Sequence, residues 1–110
     1  MSYPSLIVMP VSNAEAAKET YRVLLGVDPY VDSAYYIGFK AGDGEIGLDP
    51  NGQSGPLPYW DVNDLTETIA ALTSAGATVT KEPTDVGGGM SIAVLADKDG
   101  NPIGLRNFCS

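Results

Sequence analysis

A chain of 110 residues is long enough to bury one hydrophobic core and leaves little surplus for a second domain. Hydrophobic residues make up 44% of the chain and charged residues 18%, which excludes a disordered chain or a coiled coil, and the longest apolar stretches are too short to cross a bilayer. These short stretches give no reason to expect a membrane as a partner, and the net charge of −8 repels phosphate backbones, so nucleic acid is not expected either.

Cysteine content and charge also bear on location and ligand. Cys109 is the single cysteine, so an internal disulfide cannot form. The first residues do not show a basic region followed by an apolar run, which is the pattern expected of a secretory signal. These features predict a cytoplasmic protein. The excess of acidic residues either keeps the protein soluble or attracts a cationic ligand, and both interpretations stay open.

The first half of the chain predicts a strand, a helix and three further strands. A buried strand at Leu6–Val11 leads to Asn13, a good N-cap for a helix over Ala14–Leu25 that ends at Gly26. Its inward face is expected to carry Ala17, Tyr21, Leu24 and Leu25. The strands that follow are predicted at Tyr30–Asp32, Ala34–Ala41 and Glu45–Leu48, with a turn at residues 42–44.

The second half predicts the same order of elements. Residues 50–56 are rich in turn formers and form the predicted linker between a first module at about 1–49 and a second at about 57–110. Asp64 is the predicted N-cap of a helix over Leu65–Ser74 that stops at Gly76. The strands of this half are predicted at Leu57–Val62, Thr78–Pro83, Ser91–Ala96 and Pro102–Phe108.

The two halves also match residue by residue. Val11-Ser12-Asn13 is matched by Val62-Asn63-Asp64 at a shift of 51 residues, and Glu45-Ile46-Gly47-Leu48 by Pro102-Ile103-Gly104-Leu105 at a shift of 57. The repeat predicts a single domain of the α+β class, built from two βαβββ modules. Because each sheet must bury its remaining apolar face, we expect curved mixed sheets around a central cavity, with the helices outside.

The segments that carry this repeat resemble the vicinal oxygen chelate superfamily, which includes glyoxalase I, extradiol dioxygenases and the bleomycin-resistance binding proteins. The similarity covers almost the entire chain and includes a closing signature of aspartate, glycine and asparagine. The matching residues are Val11–Asn13 with Tyr21 and Leu25-Gly26, Val62–Leu65 with Ala75–Ala77, and Asp97–Leu105.

Enzymes of that superfamily hold a divalent metal with side chains from the first and last strand of each repeat. The resemblance points to Leu6, Gly47, Leu57 and Gly104 as the equivalent positions, and none of these residues can bind a metal. The chain also has no histidine, the residue that zinc, nickel and iron sites favour. A site of oxygen ligands from Glu45, Asp49 or Asp61 stays open for a harder ion.

Strand alternation places residues two apart on one face, which extends the four positions into a predicted ligand-binding set. On the last strands the metal ligand of the superfamily is commonly glutamate, and Gly47 and Gly104 leave room where that side chain would project. The set therefore predicts an apolar pocket with charged groups at its rim. Arg106 is suited to a carboxylate or phosphate; alternatively it pairs with Glu45 or Asp49 or is exposed. The set is Leu6, Val8, Glu45, Gly47, Leu57, Tyr59, Gly104 and Arg106.

No nucleophile and base are paired by local spacing, so we assign no catalytic residue and expect no cofactor. The resemblance implies a metal-independent protein that sequesters a hydrophobic or cationic aromatic compound as a homodimer, as drug-resistance members of the superfamily do. Two alternatives stay open: a metal-dependent lyase, isomerase or dioxygenase with a displaced site, and a regulatory or structural partner whose pocket its own side chains close.

Overall fold

A computed structural model describes residues 4–51 and 55–108, so Cys109 and part of the predicted linker lie outside the described residues. The contacts divide the chain into two compact units, which we call module one (Pro4–Leu57) and module two (from Pro58 onward). The first five elements are β1 (Leu6–Pro10), α1 (Ala14–Leu25), β2 (Val31–Asp32), β3 (Ile37–Ala41) and β4 (Gly44–Asp49). The next five are β5 (Leu57–Asp61), α2 (Leu65–Ser74), β6 (Thr78–Asp85), β7 (Met90–Ala96) and β8 (Pro102–Phe108).

The predicted α+β class and the repeated βαβββ order are confirmed. The strands of module one lie in the order β2-β3-β4-β1, and those of module two in the equivalent order β5-β8-β7-β6. In each module the first strand runs parallel to the last one, and the other pairings are antiparallel, so both sheets are mixed. The predicted central cavity stays a prediction. Neither helix in the described part of the chain is long and apolar enough to cross a membrane.

Both helices have the bounds that the sequence predicts because their end signals are local. The Asn13 side chain accepts a hydrogen bond from the Ala16 amide at 3.1 Å, and Gly26 ends α1 in the left-handed conformation at φ 71°. The Asp64 side chain caps α2 in the same way, accepting from the Glu67 amide at 2.9 Å. Such contacts lie within one turn of the chain and need no tertiary partner.

Helix α1 covers one face of the module-one sheet. The core of this module is formed by Ile37, Phe39 and Leu48, and Tyr21 and Leu25 of the helix pack against it. The prediction that Leu24 belongs to the inward face is wrong, because its side chain is 70% exposed. The buried stripe is centred between Tyr21 and Leu25, which leaves Leu24 at its edge.

The strand bounds differ most from the predicted ones at β3 and β6. Strand β3 begins at Ile37 rather than Ala34, because the Ser33 hydroxyl accepts hydrogen bonds from the amides of Tyr35 and Tyr36 and so forms a turn. Strand β6 continues through Pro83 to Asp85. It is the last strand of the module-two order, and an edge strand tolerates a proline that cannot donate to a ladder.

The turn between β7 and β8 is organised by Asp97. Its carboxylate accepts hydrogen bonds from the amides of Asp99 (2.9 Å) and Asn101 (2.8 Å) and from the Asn101 side chain (3.0 Å). These bonds, that of the Asn101 side chain first, hold the pKa of Asp97 below its usual value. The aspartate of the closing signature therefore has a structural role in this chain.

Replacing Asp97 with asparagine should destabilise module two near neutral pH, because the charged acceptor of three hydrogen bonds is lost. A lowered pKa in the folded state contributes stability above the unfolded pKa of about 4, and that contribution disappears as pH falls through the folded value. The difference in urea midpoint between wild type and D97N should therefore shrink below about pH 4.

The matched control is Asp99→Asn, which removes the same charge two residues away but leaves the Asp97 acceptors in place. A pH-independent difference for D97N, or an equal effect of D99N, would show that the charge of Asp97 does not organise the turn.

Candidate functional site

Four of the predicted site residues share one face of the module-one sheet. Leu6 of β1 lies opposite Glu45 of β4, and Val8 lies opposite Gly47. Alternation along β4 directs these side chains away from Leu48, which packs beneath α1. We call this surface, opposite α1, the helix-free face of module one. The pairing of β1 with β4 thus brings half of the predicted set together.

The room that Gly47 was expected to leave is filled by a tyrosine ring. A Cβ atom built on Gly47 would overlap the hydroxyl of Tyr36 and would lie 2.6 Å from its Cζ and 2.8 Å from its Cε1. Tyr36 directly precedes β3, which pairs with β4, and its phenol lies over Gly47 of that neighbouring strand. The predicted ligand-binding set did not include Tyr36, because nothing local shows which glycine the ring covers.

A second ring lies beside the first. Gly38 of β3 is the cross-strand partner of Gly47, and a Cβ atom there would lie 3.2 Å from both the Tyr30 ring and the Tyr36 ring. The Tyr30 hydroxyl donates a hydrogen bond to the Glu45 carboxylate, and the Lys40 ammonium lies 4.8 Å from the Tyr30 ring centroid. Two paired glycines thus form a floor under two tyrosine rings. Sequence reasoning did not include Tyr30 or Gly38 in the predicted set. The only local signal was Gly38 itself, a glycine inside a predicted strand.

Module two repeats the arrangement with different parts. Tyr59 of β5 lies opposite Gly104 of β8, and a Cβ atom on Gly104 would lie 2.5 Å from Cδ1 and 2.7 Å from Cε1 of its ring. It would also lie 2.8 Å from the Pro58 carbonyl oxygen, which is backbone and cannot move aside alone. Trp60 pairs with Leu105 and so faces the other way from Tyr59, as alternation predicts. Leu57, the first residue of β5 and the last residue of module one, is also buried.

Arg106 is a buried cation on the same face as Gly104. It is only 7% exposed, and its Nε donates to the Asp61 carboxylate at 2.5 Å, while its guanidinium lies 5.4 Å from the Phe108 ring centroid. One carboxylate that pairs with Arg106 therefore lies on the neighbouring strand β5, and Arg106 is not the exposed residue that one alternative foresaw. Asp61 is about half-exposed, so solvent reaches one side of this pair.

The residues at the four metal-equivalent positions do not fit a metal ion. Leucine has no donor atom, and at Gly47 and Gly104 the space that a coordinating side chain would enter holds the rings of Tyr36 and Tyr59. Within residues 4–51 and 55–108, no three His, Cys, Asp or Glu side chains lie close enough to hold a metal. The side chains at these four positions therefore could not hold the metal of the superfamily's enzymes.

A hollow of about 310 Å³ lies on the other side of module two, where α2 ends beside the β7–β8 turn. None of the predicted site residues lines it. Asp97 borders it, but its carboxylate is occupied by the turn, and the Lys98 side chain lies over Gly76. The lining residues are Leu72, Ala75, Gly76, Ala77, Asp97, Lys98, Asp99 and Ile103.

The repeated module, with its parallel first and last strands and one helix, defines the class of paired βαβββ proteins. Residues 5–105 match the family model described as Glyoxalase/Bleomycin resistance protein/Dioxygenase superfamily. The chain belongs to this superfamily, as its repeat and its closing signature indicated. A comparison with curated proteins gives no match.

Solved structures share the fold at low sequence identity. A hypothetical protein, BH1468 from Bacillus halodurans C-125, is 15% identical at a TM-score of 0.80, covering 97% of this chain and 94% of its own. A protein described as NAD-dependent benzaldehyde dehydrogenase from Legionella pneumophila is 20% identical at a TM-score of 0.76, and the match covers 94% of this chain and 97% of that protein's chain. Methylmalonyl-CoA epimerase from Mycobacterium tuberculosis is 18% identical at a TM-score of 0.72, and the match covers 98% of this chain and 89% of the epimerase chain. Proteins of different description thus share this fold, and the likeness shows the fold alone.

The two glycines should respond differently to an added methyl group. Gly47→Ala should cost about 1–3 kcal/mol of unfolding free energy, and Tyr36→Ala should relieve much of that cost, because the three atoms nearest to the added methyl group all belong to the Tyr36 side chain. Gly104→Ala should remain destabilising even with Tyr59→Ala, because the Pro58 carbonyl stays in place. Urea denaturation of the single and double variants measures both coupling energies.

Gly44→Ala on the same strand as Gly47 is the matched control, since its Cβ would meet neighbours only at 3.8 and 3.9 Å. Equal costs of Gly47→Ala with and without Tyr36, or full relief of Gly104→Ala by removal of Tyr59, would contradict the described geometry.

Proposed function

We propose that this protein binds a small hydrophobic or cationic aromatic compound without the help of a metal ion. One observation carries the proposal: where the superfamily's enzymes place metal-coordinating side chains on the last strand of each repeat, this chain has glycines covered by the rings of Tyr36 and Tyr59. At these positions an aromatic ring takes the place of a metal ligand. Aromatic rings favour flat ligands, which bind through stacking and apolar contact.

Charge supports the cationic class of ligand. The chain carries 14 acidic and six basic residues, and Glu45 lies beside an aromatic ring on the helix-free face of module one. A carboxylate next to tyrosine rings stabilises an organic cation through both ionic and cation–π attraction. The Lys40 ammonium, 4.8 Å from the Tyr30 ring centroid, already makes one such contact within the chain.

A second candidate function is favoured by the closed position in module two. Gly104 is covered by both the Tyr59 ring and the Pro58 carbonyl, so this module holds its own side chain where a ligand would be bound. A regulatory or structural partner whose sites are filled in this way needs no small molecule. This candidate predicts that no compound stabilises the folded state.

A thermal-shift screen separates these functions. Wild-type protein would be heated with divalent metals, with neutral and cationic aromatic compounds, and with saturated analogues of the same size and charge. A ligand that binds only the folded state should raise Tm by about 10 °C at a hundredfold excess over its Kd. We expect such a rise with an aromatic compound and a clearly smaller rise with its saturated analogue.

Each remaining outcome counts against the proposal in its own way. Stabilisation by a micromolar divalent metal would favour the metal-dependent lyase, isomerase or dioxygenase that the sequence left open. Equal stabilisation by the saturated analogues would remove the role given to the aromatic rings. No stabilisation by any compound would favour the regulatory or structural partner.

Assembly and location complete the proposal. The resemblance to the bleomycin-resistance binding proteins implies a homodimer, and the single cysteine favours the cytoplasm. Light scattering at micromolar concentration should give twice the chain mass of 11.5 kDa. A molar mass equal to that of one chain would contradict the homodimer.

A further inference from the structure

The hollow beside the end of α2 is a space that remains with all the surrounding side chains in place. Its volume of about 310 Å³ lies at the lower end of the range for small-molecule sites. Leu72 of α2 and Ile103 of β8 form its apolar walls, together with Ala75 and Ala77. Ile103 alternates with Gly104 along β8, so the hollow lies on the opposite face of the module-two sheet from Gly104. A ligand bound here would be separate from the predicted site residues.

Lys98 lies along one side of this hollow because Gly76 has no side chain. A Cβ atom on Gly76 would overlap Cε of Lys98 and would lie 3.2 Å from its Nζ. Gly76 also has a φ of 110°, at which a residue with a side chain would be strained. The ammonium therefore lies beside the C-terminal end of α2, whose last turn has no basic residue, and the helix dipole favours a cation there. A positive charge is thus held at the hollow.

Two charged side chains at the hollow are available to a ligand, and a third is not. Asp97 uses its carboxylate to hold the β7–β8 turn together. Within residues 4–51 and 55–108, neither the Lys98 ammonium nor the Asp99 carboxylate makes a hydrogen bond or an ion pair. Both residues are exposed and border the hollow. The hollow therefore offers one cation and one anion beside an apolar wall.

This combination of charges selects the class of ligand. An anion without a positive group would be repelled by Asp97, by Asp99 and by the net charge of −8. A cation without a negative group would be repelled by Lys98. A molecule that carries both charges and an aliphatic side chain is attracted at each end and also buries apolar surface against Leu72 and Ile103. Free amino acids have this composition.

We propose that this hollow is a binding site for a free aliphatic amino acid. Its carboxylate pairs with Lys98, its ammonium group pairs with Asp99, and its side chain packs against Leu72 and Ile103. The inference goes beyond the proposed function, because it concerns a second ligand of another class on another surface, and it does not depend on the binding of an aromatic compound. Exposed ion pairs contribute little each, so we expect a Kd of about 1 mM.

Four probes separate the three contacts in the wild-type protein. L-Leucine carries both charges and an aliphatic side chain, whereas 4-methylpentanoate lacks its amino group, 3-methylbutylamine lacks its carboxylate and glycine lacks its side chain. Each probe would be titrated while the amide NMR signals of residues 72–77 and 97–101 are followed. We expect leucine to shift these signals saturably, and each of the other probes to bind at least about threefold more weakly.

Two variants assign the two ends of the ligand. Lys98→Gln should weaken the binding of leucine and 4-methylpentanoate but not that of 3-methylbutylamine, because it removes the partner of the carboxylate alone. Asp99→Asn should weaken the binding of leucine and 3-methylbutylamine but not that of 4-methylpentanoate. A lysine that only stabilises the end of α2 would make K98Q less stable without this crossed pattern.

Lys81→Gln is the matched control for the loss of a positive charge. Lys81 is an exposed lysine of the same module, on β6, and it does not line the hollow. This variant should bind all four probes as wild type does. An equal loss of leucine affinity in K81Q and K98Q would mean that only the net charge matters, and it would overturn the assignment of Lys98.

The wild-type titrations decide the proposal even if a variant does not fold. Equal affinities for leucine and for either singly charged probe would overturn the ligand class, and equal affinity for glycine would remove the role of the apolar walls. Shifts that are confined to amides of other elements, or no saturable shift at leucine concentrations well above the expected Kd, would show that the hollow does not bind an amino acid.

Discussion

Parallel pairing between the first and last strand of each module is the constraint on which the rest of the structure depends. Parallel strands cannot be joined by a tight turn, so the chain between β1 and β4, and between β5 and β8, must make a long connection that includes a helix. In module one that helix covers one face of the sheet. The opposite face is left to residues of β1, β3 and β4 and to the rings of Tyr30 and Tyr36, and there the candidate site lies.

Glycine on the last strand decides what that face can hold. Without a Cβ, the backbone of β4 and β8 lets a tyrosine ring approach to within contact distance, and the ring in turn excludes any larger residue from the glycine position. The position on the last strand can therefore hold either a coordinating side chain or the neighbouring tyrosine ring, but not both. At Gly104 a backbone carbonyl is among the three nearest atoms, whereas at Gly47 all three belong to the side chain of Tyr36.

Charge is distributed unevenly between the two modules. Module two buries the Arg106 guanidinium beside Asp61, which neutralises it locally, and module one places Glu45 among tyrosine rings with Lys40 nearby. Asp61 stabilises the buried Arg106 guanidinium, since removing Asp61 would take a charged partner from a poorly solvated cation. The acidic balance of the whole chain then favours cationic ligands over anionic ones at the remaining surface.

The sequence by itself determined the helices to the residue, because the caps at Asn13 and Asp64 and the stop at Gly26 act within one turn. It also determined, by the alternation of side chains, which residues of each strand share a face. Only the tertiary structure decided which side chains cover those faces. Tyr36, just before β3, covers Gly47 of the adjacent strand β4, and the Arg106 guanidinium pairs with Asp61, 45 residues earlier in the chain. Register between strands is set by the packing of a whole sheet, which no local pattern contains.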